Sequence, residues 1–244
     1  MIIAQISDIH AAAANDNLSR LDRALAWLDT LAPDALVLSG DLIDNDEIEG
    51  YPAIAARLAR RPYPAYVLPG NADNRAAMRA AIPAPYWTDG GRGALHFSVD
   101  IHGLRVIGLD TTVPGSAAGQ VEAHLPWLKD ALSAAGPAAS IVFLHHPVFP
   151  IGIAPLDRTM CDGAQALGTL LRHHPRRPLA LAMGHAHRPA AGTLAGIPAF
   201  LCGSICPANP LWVGQATVPP AADPPALMIH RFVNGALASH FVSV

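Results

Sequence analysis

The amino-acid sequence predicts an α/β protein, a four-layer α/β/β/α sandwich of two mixed β-sheets with flanking helices. The first part of the chain alternates apolar runs with amphipathic segments in the order β-α-β-α-β, which is typical of parallel strands joined by crossover helices. The later part carries two hairpin signals, His102-Gly103 and Asn234-Gly235, which indicate antiparallel pairs. Two mixed sheets stacked face to face fit this order, although the sequence does not fix the stacking.

The first half of the chain supplies three strands and three helices. Strands are predicted at the apolar runs Ile2–Ile6, Ala35–Leu38 and Ala65–Leu68. Ser19 is the predicted N-cap of the first helix, with Asp22 three residues later and one apolar face formed by Leu21, Leu25, Leu28 and Leu31. Two further helices are expected at Tyr51–Ala59 and Asn74–Ala81.

The second half contains two hairpins and the remaining crossover elements. The hairpins are predicted from Leu95–Val99 with Leu104–Leu109, and from Leu227–Phe232 with Leu237–Val242. Between them we expect strands and helices at Gln120–Leu132 (helix), Ser140–Leu144 (strand), Gly163–His173 (helix) and Leu179–Met183 (strand). The Pro-rich stretches are interpreted as loops and not as linkers, so residues 1–244 are predicted to form one domain.

Composition excludes several classes of partner. The chain has 244 residues, 51% of them hydrophobic, and a net charge of −3 with 16 Lys plus Arg. Without a basic run, binding to long nucleic acid is not expected. No apolar stretch reaches the ~18 residues that a membrane span needs. Three cysteines without a Cys-x-x-Cys pattern favour reduced thiols and a cytoplasmic location.

Five short segments with metal-ligating side chains each follow a predicted strand. They are Asp8-Ile9-His10, Gly40-Asp41-Leu42-Ile43-Asp44, Gly70-Asn71-Ala72-Asp73, His145-His146-Pro147 and Gly184-His185-Ala186-His187. Each segment alone is also typical of a turn, a helix cap or a strand end. Side chains beyond the carboxyl ends of neighbouring strands meet at one rim of an α/β sheet. The joint pattern therefore favours a site for two divalent ions, which is suited to attack on phosphate esters.

Spacing and glycine positions give this site a predicted geometry. The paired ligands Asp8 and His10, and likewise His185 and His187, lie two residues apart, which in extended chain places both on one side. Glycine before a ligand permits close approach of two backbones. The other histidines are interpreted as structural or solvent-facing: His96, His102, His124, His173, His174, His230 and His240. Arg75 is interpreted as a solvent-facing residue at a helix start, with contact to phosphate as the alternative.

The motif series resembles that of the calcineurin-like metallophosphoesterases. More narrowly, it is similar to the class III cyclic nucleotide phosphodiesterases and their glycerophosphodiesterase relatives. The resemblance extends from Met1 to about Ser204 and includes Tyr66–Asn71 and Gly108–Gly115. It implies a two-sheet α/β sandwich and a homodimer or higher oligomer.

The resemblance also implies which residues hold which ion. One ion would be bound by Asp8, His10, Asp41 and His187, and the other by Asp41, Asn71, His145 and His185. Asp41 would bridge the two. The catalytic residues implied are Asp41, Asn71 and His146, with Asp44 and Asp73 orienting the ligands by hydrogen bonds. Mixed nitrogen and oxygen donors suit Mn, Fe or Zn.

The predicted function is hydrolysis of a small-molecule phosphodiester by a metal-bound hydroxide. The alternatives are a phosphomonoesterase and a non-catalytic, metal-bound scaffold. Where members of the group usually read Gly-Asn-His-Asp or Gly-Asn-His-Glu, this chain has Ala72, so it lacks the imidazole that the resemblance implies as proton donor. The loops Pro147–Asp162 and Cys206–Trp212 are expected to form the pocket walls.

Overall fold

The computed structural model describes residues 1–90 and 92–244. The strands are β1 Ile2–Ile6, β2 Ala35–Ser39, β3 Ala65–Leu68, β4 Phe97–Ile101, β5 Leu104–Leu109, β6 Gly119–Gln120, β7 Ser140–Leu144, β8 Cys161–Asp162, β9 Ala180–Met183, β10 Ala190–Leu194, β11 Ile197–Leu201, β12 Ala226–Val233 and β13 Ala236–Ser243. The α-helices are α1 Asn17–Leu31, α2 Gly50–Leu58, α3 Arg75–Ala81, α4 Leu125–Ser133, α5 Ala154–Asp157 and α6 Ala164–His173.

The strands form two large mixed sheets, as the sequence predicts. The first has the order β13-β12-β1-β2-β3, in which β1, β2 and β3 are parallel, β12 is antiparallel to β1, and β13 is antiparallel to β12. The second has the order β10-β11-β9-β7-β5-β4, with a parallel centre and an antiparallel strand at each edge. The parallel centres place the carboxyl ends of five strands at one rim.

Successive residues of the second sheet pack on opposite sides of it, and this defines the layers. Phe143 and Ala182 belong to a buried cluster that includes the first sheet and helices α1, α2 and α3. Their neighbours Val142 and Leu181 belong to a second cluster with α4 and α6. Because successive strand residues face opposite sides of a sheet, the second sheet lies between the first sheet and the helices α4 and α6. The four-layer α/β/β/α prediction is therefore confirmed.

Two predicted helix starts are wrong. Helix α1 begins at Asn17 and not after Ser19. The side-chain amides of Asn15 and Asn17 donate to the backbone carbonyl of His10 at 2.9 and 2.8 Å, and these bonds fix the chain at the start of the helix. The segment predicted as one helix from Gln120 begins instead as strand β6, which pairs with β8. Its α-helical part starts only at Leu125.

The hairpin of β10 and β11 was not predicted. Its turn places Ala195 and Gly196 at φ of 53° and 77°, and alanine gives no turn signal at such a position. Among the residues described, no helix combines the length and the apolar character that crossing a bilayer requires. The three cysteines are free thiols and all are buried.

Candidate metal centre

The five predicted ligand segments meet at the rim formed by the carboxyl ends of β1, β2, β3, β7 and β9. Backbone hydrogen bonds join these segments to one another. The N–H groups of Ile9 and His10 both donate to the carbonyl of Asp41 at 2.8 and 3.0 Å, and Gly184 donates to the carbonyl of His145 at 3.0 Å. The loops are therefore fixed relative to each other before any ligand side chain is considered.

The paired ligands converge for a reason other than the predicted one. Asp8, His10, Asp41, His185 and His187 have φ between 48° and 70°, in the left-handed region that non-glycine residues rarely adopt. The pairs are thus not extended chain, and it is this backbone that turns both members of each pair inward. Strained backbone of this kind persists where surrounding structure imposes it, and it clusters at functional sites.

Two glycines permit the close approach of the loops. A Cβ on Gly70 would meet the carboxylate and the backbone nitrogen of Asp41, and a Cβ on Gly184 would meet the side chain of Ser7 and lie 2.8 Å from Oδ2 of Asp8. Both segments are therefore in van der Waals contact with a predicted ligand through bare backbone. This confirms the interpretation of the glycines that precede ligands.

The first group of donors is formed by Asp8, His10, Asp41 and His187, whose donor atoms lie close together. Nε2 of His10 lies 3.1 Å from Nε2 of His187 and 3.3 Å from Oδ2 of Asp41. Nε2 of His187 lies 3.4 Å from Oδ1 of Asp8. Asp8 is fully buried, and both of its carboxylate oxygens accept the backbone N–H of His185 at 3.0 Å.

The second group is formed by Asp41, Asn71, His145 and His185. Nδ1 of His185 lies 2.8 Å from Oδ1 of Asn71 and 3.3 Å from Nε2 of His145. Nε2 of His145 in turn lies 3.3 Å from Oδ2 of Asp41. The same oxygen of Asp41 therefore faces one histidine of each group.

These separations fit ions held between the donors. Ligand bonds of about 2.0–2.1 Å place neighbouring donor atoms roughly 3 Å apart, which matches the spacing in both groups. Two imidazole nitrogens at 3.1 Å, as in His10 and His187, repel through their lone pairs unless a proton or a cation lies between them. Imidazole, carboxylate and amide donors suit Mn, Fe or Zn. The donor set thus fits two divalent ions that share Asp41.

At this centre, burial and neighbouring charges shift the pKa values of Asp41 and His145 in opposite directions. Burial would raise the pKa of Asp41, but His145 and His10 hold it well below its usual range. Burial would lower the pKa of His145, but the carboxylates of Asp41 and then Asp8 raise it to about 9. Burial and His145 lower the pKa of His185 to about 4. A neutral imidazole such as His185 is the form that binds a metal ion.

His146, the predicted catalytic histidine, lies inside the centre and not at its surface. Its ring centroid is 4.9 Å from that of His145 and 5.1 Å from that of His185. Its Nδ1 lies 2.8 Å from the hydroxyl of Thr111, and its buried Nε2 has no hydrogen-bond partner among the described residues. Burial, followed by the charge of His145, holds its pKa well below the usual value.

The two predicted orienting carboxylates behave differently. Asp73 accepts the backbone N–H groups of Leu42 and Gly70 at 3.1 and 2.8 Å and the hydroxyl of Tyr51 at 3.0 Å, so it positions two ligand loops through their backbones. Burial and the charge of Asp41 raise the pKa of Asp73 to about 6. Oδ1 of Asp44 lies 3.8 Å from Nδ1 of His10, which is too long for the hydrogen bond that was expected.

Sequence reasoning did not identify two side chains that contact the histidine pair. The hydroxyl of Thr159 lies 2.8 Å from Nε2 of His185, and Sγ of Cys206 lies 3.3 Å from Nδ1 of His187. These two residues come from the loops predicted to form the pocket walls. No spacing signal could have found them, because each lies about 20 residues or more from its histidine in the chain.

A cavity of about 430 Å³ opens beside the second donor group. Its walls include Asn71, Ala72 and Arg75 together with the segment Thr112–Gly115, which was not among the predicted walls. Arg75 begins helix α3 as predicted, but its guanidinium is paired and its side chain is only 24% exposed. Its Nε lies 2.8 Å from Oδ2 of the fully buried Asp110, and its Nη2 lies 3.1 Å from Oδ1. The ion pair holds the guanidinium against the cavity wall.

Several histidines outside the five segments are part of the packing. His230 is fully buried, and its two ring nitrogens contact Ser239 and Gln5 at 2.8 and 3.1 Å. His96 stacks on Trp127 with a centroid distance of 4.4 Å, and burial with the charge of His124 lowers its pKa to about 4. His102, His173 and His240 are exposed.

Comparison with known sequences gives one consistent result. A family profile described as calcineurin-like phosphoesterase matches residues 1–189. A probable glycerophosphodiester phosphodiesterase of Arcobacter nitrofigilis is 30% identical over 77% of this chain and 72% of its own. A cAMP/cGMP dual specificity phosphodiesterase of Mycobacterium tuberculosis is 31% identical over 84% of this chain and 67% of its own.

Solved structures share the fold at low sequence identity. A dimetal phosphatase from Danio rerio has a TM-score of 0.69 at 14% identity, covering 94% of this chain and 95% of that chain. The Plasmodium protein GAP50, described as the anchor in the inner membrane complex, also has a TM-score of 0.69 at 14% identity, covering 100% of this chain and 84% of that chain. At this identity the likeness concerns the fold alone, and any activity has to be inferred from the side chains of the two donor groups.

Proposed function

Because this chain belongs to the calcineurin-like phosphoesterase family, a family of metal-dependent hydrolases, we propose that it hydrolyses small phosphodiesters at a centre of two divalent ions. One observation carries the proposal. Oδ2 of Asp41 lies 3.3 Å from Nε2 of His10 and 3.3 Å from Nε2 of His145. A single carboxylate oxygen that faces a histidine of each donor group is what a bridging ligand requires.

The proposed assignment of ligands follows the two donor groups. Asp8, His10 and His187 hold one ion, Asn71, His145 and His185 hold the other, and Asp41 bridges them. The ions are proposed to be Mn, Fe or Zn on the basis of the nitrogen and oxygen donors. When bound, such ions lower the pKa of a coordinated water and neutralise charge on a phosphate group.

The cavity beside Asn71 favours a diester over a monoester. A phosphate group at the centre would place one of its substituents near Ala72, where about 430 Å³ is available. A phosphodiester has a second ester group to occupy this space, whereas a monoester does not. The relatives described as glycerophosphodiester and cyclic nucleotide phosphodiesterases also act on diesters, which supports the same substrate class.

The side chains of the chain have distinct parts in the proposed reaction. Asp41, Asn71 and the ligand histidines would hold the ions that orient the substrate phosphate for in-line attack. The unpartnered Nε2 of His146 is a hydrogen-bonding group at the centre and can hold a phosphate oxygen or pass a proton to the departing alcohol. Position 72 carries a methyl group, so the departing group is proposed to leave largely as an anion or to take its proton from water, with His146 as the alternative donor.

A phosphomonoesterase and a metal-bound scaffold are the alternatives. A scaffold does not need strained backbone at five ligand positions, so this feature favours an enzyme. We further propose that the protein works in the cytoplasm, where its buried free thiols stay reduced, without long nucleic acid as partner, and that it forms a homodimer or higher oligomer.

Turnover of two chromogenic esters tests the proposal. Manganese-loaded protein is expected to hydrolyse bis-p-nitrophenyl phosphate with a higher kcat/KM than p-nitrophenyl phosphate, and to lose both activities on chelation. His185→Ala serves as the active-site control. A preference for the monoester would establish the phosphomonoesterase. Two bound ions without turnover of either ester would establish the scaffold.

A further inference from the structure

The two histidines that lie two residues apart turn opposite ring nitrogens toward the metal centre. Nδ1 of His185 faces inward, 2.8 Å from Oδ1 of Asn71 and 3.3 Å from Nε2 of His145. Nε2 of His187 faces inward, 3.1 Å from Nε2 of His10 and 3.4 Å from Oδ1 of Asp8. Each histidine therefore needs its lone pair on a different nitrogen in order to bind an ion.

The outward nitrogen of each ring contacts a side chain from a distant loop. The hydroxyl of Thr159 lies 2.8 Å from Nε2 of His185. Sγ of Cys206 lies 3.3 Å from Nδ1 of His187, and Cys206 is 5% exposed. The outward partner of a metal-binding histidine is usually a carboxylate, a backbone carbonyl or water. Here a hydroxyl and a thiol occupy these positions.

The hydrogens of this hydroxyl and this thiol have other acceptors. Oγ1 of Thr159 donates to the carbonyl of Leu156 at 3.1 Å, and Sγ of Cys206 donates to the carbonyl of Pro207 at 3.6 Å. Both atoms are then left with lone pairs that accept a ring N–H. A neutral imidazole has one N–H, so accepting it on the outer nitrogen leaves a lone pair on the inner nitrogen.

We propose that Thr159 and Cys206 are positioning residues that fix opposite tautomers of His185 and His187, so that each ring presents a lone pair to a different ion. The proposal rests on the two-ion centre proposed above. Cys206 is also joined to the same donor group through its backbone, because its N–H donates to the carbonyl of Asp8 at 2.9 Å. Its thiol is thus fixed relative to both Asp8 and His187.

Nitrogen-15 NMR of the zinc-loaded protein reads the tautomers directly, since long-range proton–nitrogen couplings identify the protonated ring nitrogen. We expect the N–H of His185 on Nε2 and that of His187 on Nδ1. Finding both rings with the same nitrogen protonated would overturn the proposal, and this measurement needs no variant that must fold.

Metal titration of variants tests the two contacts separately. Thr159→Val and Cys206→Ala are each expected to weaken one of two zinc-binding events by about 10–100-fold, while Thr159→Ser and Cys206→Ser retain near wild-type binding. Cys202→Ala is the matched control, because that buried thiol contacts the carbonyl of Gln5 and, among the described residues, no histidine. Unchanged binding in Thr159→Val and Cys206→Ala, or an equal loss in the control, would overturn the proposal.

Cobalt substitution distinguishes a positioning thiol from a metal ligand. We expect the near-ultraviolet spectra of the cobalt-loaded wild type and Cys206→Ala to be alike, with no thiolate charge-transfer band in either. Such a band would mean that Cys206 binds the ion directly, which contradicts the positioning role. All of these readouts are independent of turnover, so an inactive protein with the expected tautomers and metal binding would refute only the proposed enzymatic function.

Discussion

The backbone N–H of Ala72 donates a 2.8 Å hydrogen bond to Oδ1 of Asp41. Oδ2 of the same carboxylate faces His10 and His145, so the two oxygens have separate roles. Position 72 therefore orients the proposed bridging ligand through its main chain, while its methyl side chain lines the cavity. The orientation of Asp41 does not depend on which side chain occupies position 72.

Replacement of Ala72 by histidine is expected to change the dependence on the leaving group. General acid catalysis is typically worth about 10²–10⁴-fold, and a methyl group cannot donate a proton. Wild type should hydrolyse nitrophenyl diesters rapidly and alkyl diesters or cyclic AMP slowly, and Ala72→His should help the alkyl esters most. A series of diesters spanning leaving-group pKa measures this, with Ala72→Gln as a control of similar size. A shallow slope in wild type that is unchanged in Ala72→His would instead indicate that His146 supplies the proton.

Loss of Asp41 is expected to be more harmful than loss of Asp8. Asp41 faces an imidazole nitrogen of each donor group, whereas Asp8 faces only that of His187 in the first group and meets the second only through the backbone N–H of His185. Asp41→Asn should therefore reduce the affinity for both ions, and Asp8→Asn for one. Elemental analysis after dialysis should show about one ion retained in Asp8→Asn and less in Asp41→Asn, with a rate at least about tenfold lower for the latter. Equal metal content in the two variants would contradict the bridging role.

A methyl group on Gly70 is expected to disrupt the centre. The added Cβ would overlap the carboxylate and backbone nitrogen of Asp41, and backbone cannot move aside as a flexible side chain can. Overpacking of this kind costs about 1–3 kcal/mol, so Gly70→Ala should lower the free energy of unfolding and the metal content together. Gly93→Ala is the matched control, because nothing lies within 4 Å of its added Cβ. Similar metal content in both variants would show that the approach of the two loops is not needed.

The buried His230 is expected to make the protein sensitive to acid. Burial lowers its pKa to about 3, so between about pH 6.5 and 3 the unfolded chain binds a proton that the folded chain does not. Stability from this residue is present above pH 6.5 and falls by about 1.4 kcal/mol per pH unit below it. Wild type should therefore lose about 2 kcal/mol more than His230→Gln between pH 7 and 5 in denaturant unfolding.

The control for this measurement is the exposed His173. His173→Gln should leave the difference in the free energy of unfolding between pH 7 and pH 5 close to that of wild type. If His230→Gln and His173→Gln gave the same pH dependence as wild type, the acid sensitivity would arise elsewhere, and the buried contacts of His230 with Gln5 and Ser239 would not explain it.

The sequence by itself determined the fold class and which segments meet at one rim of the sheets. Apolar runs followed by ligand residues place Asp8, Asp41, Asn71, His145 and His185 at strand ends, and parallel strands bring such ends to one rim for geometric reasons that do not depend on detail. The extension of one domain over residues 1–244 stays a prediction; the pairing of β12 with β1 supports it.

The tertiary structure alone decided how the ligands are aimed and supported. The left-handed backbone at His185 and His187, the contacts of Thr159 and Cys206 with those rings and the buried ion pair of Arg75 with Asp110 join residues far apart in the chain. Periodicity and motif spacing report only local geometry. Contacts between distant loops depend on how the two sheets stack, because that stacking decides which loops meet at the rim.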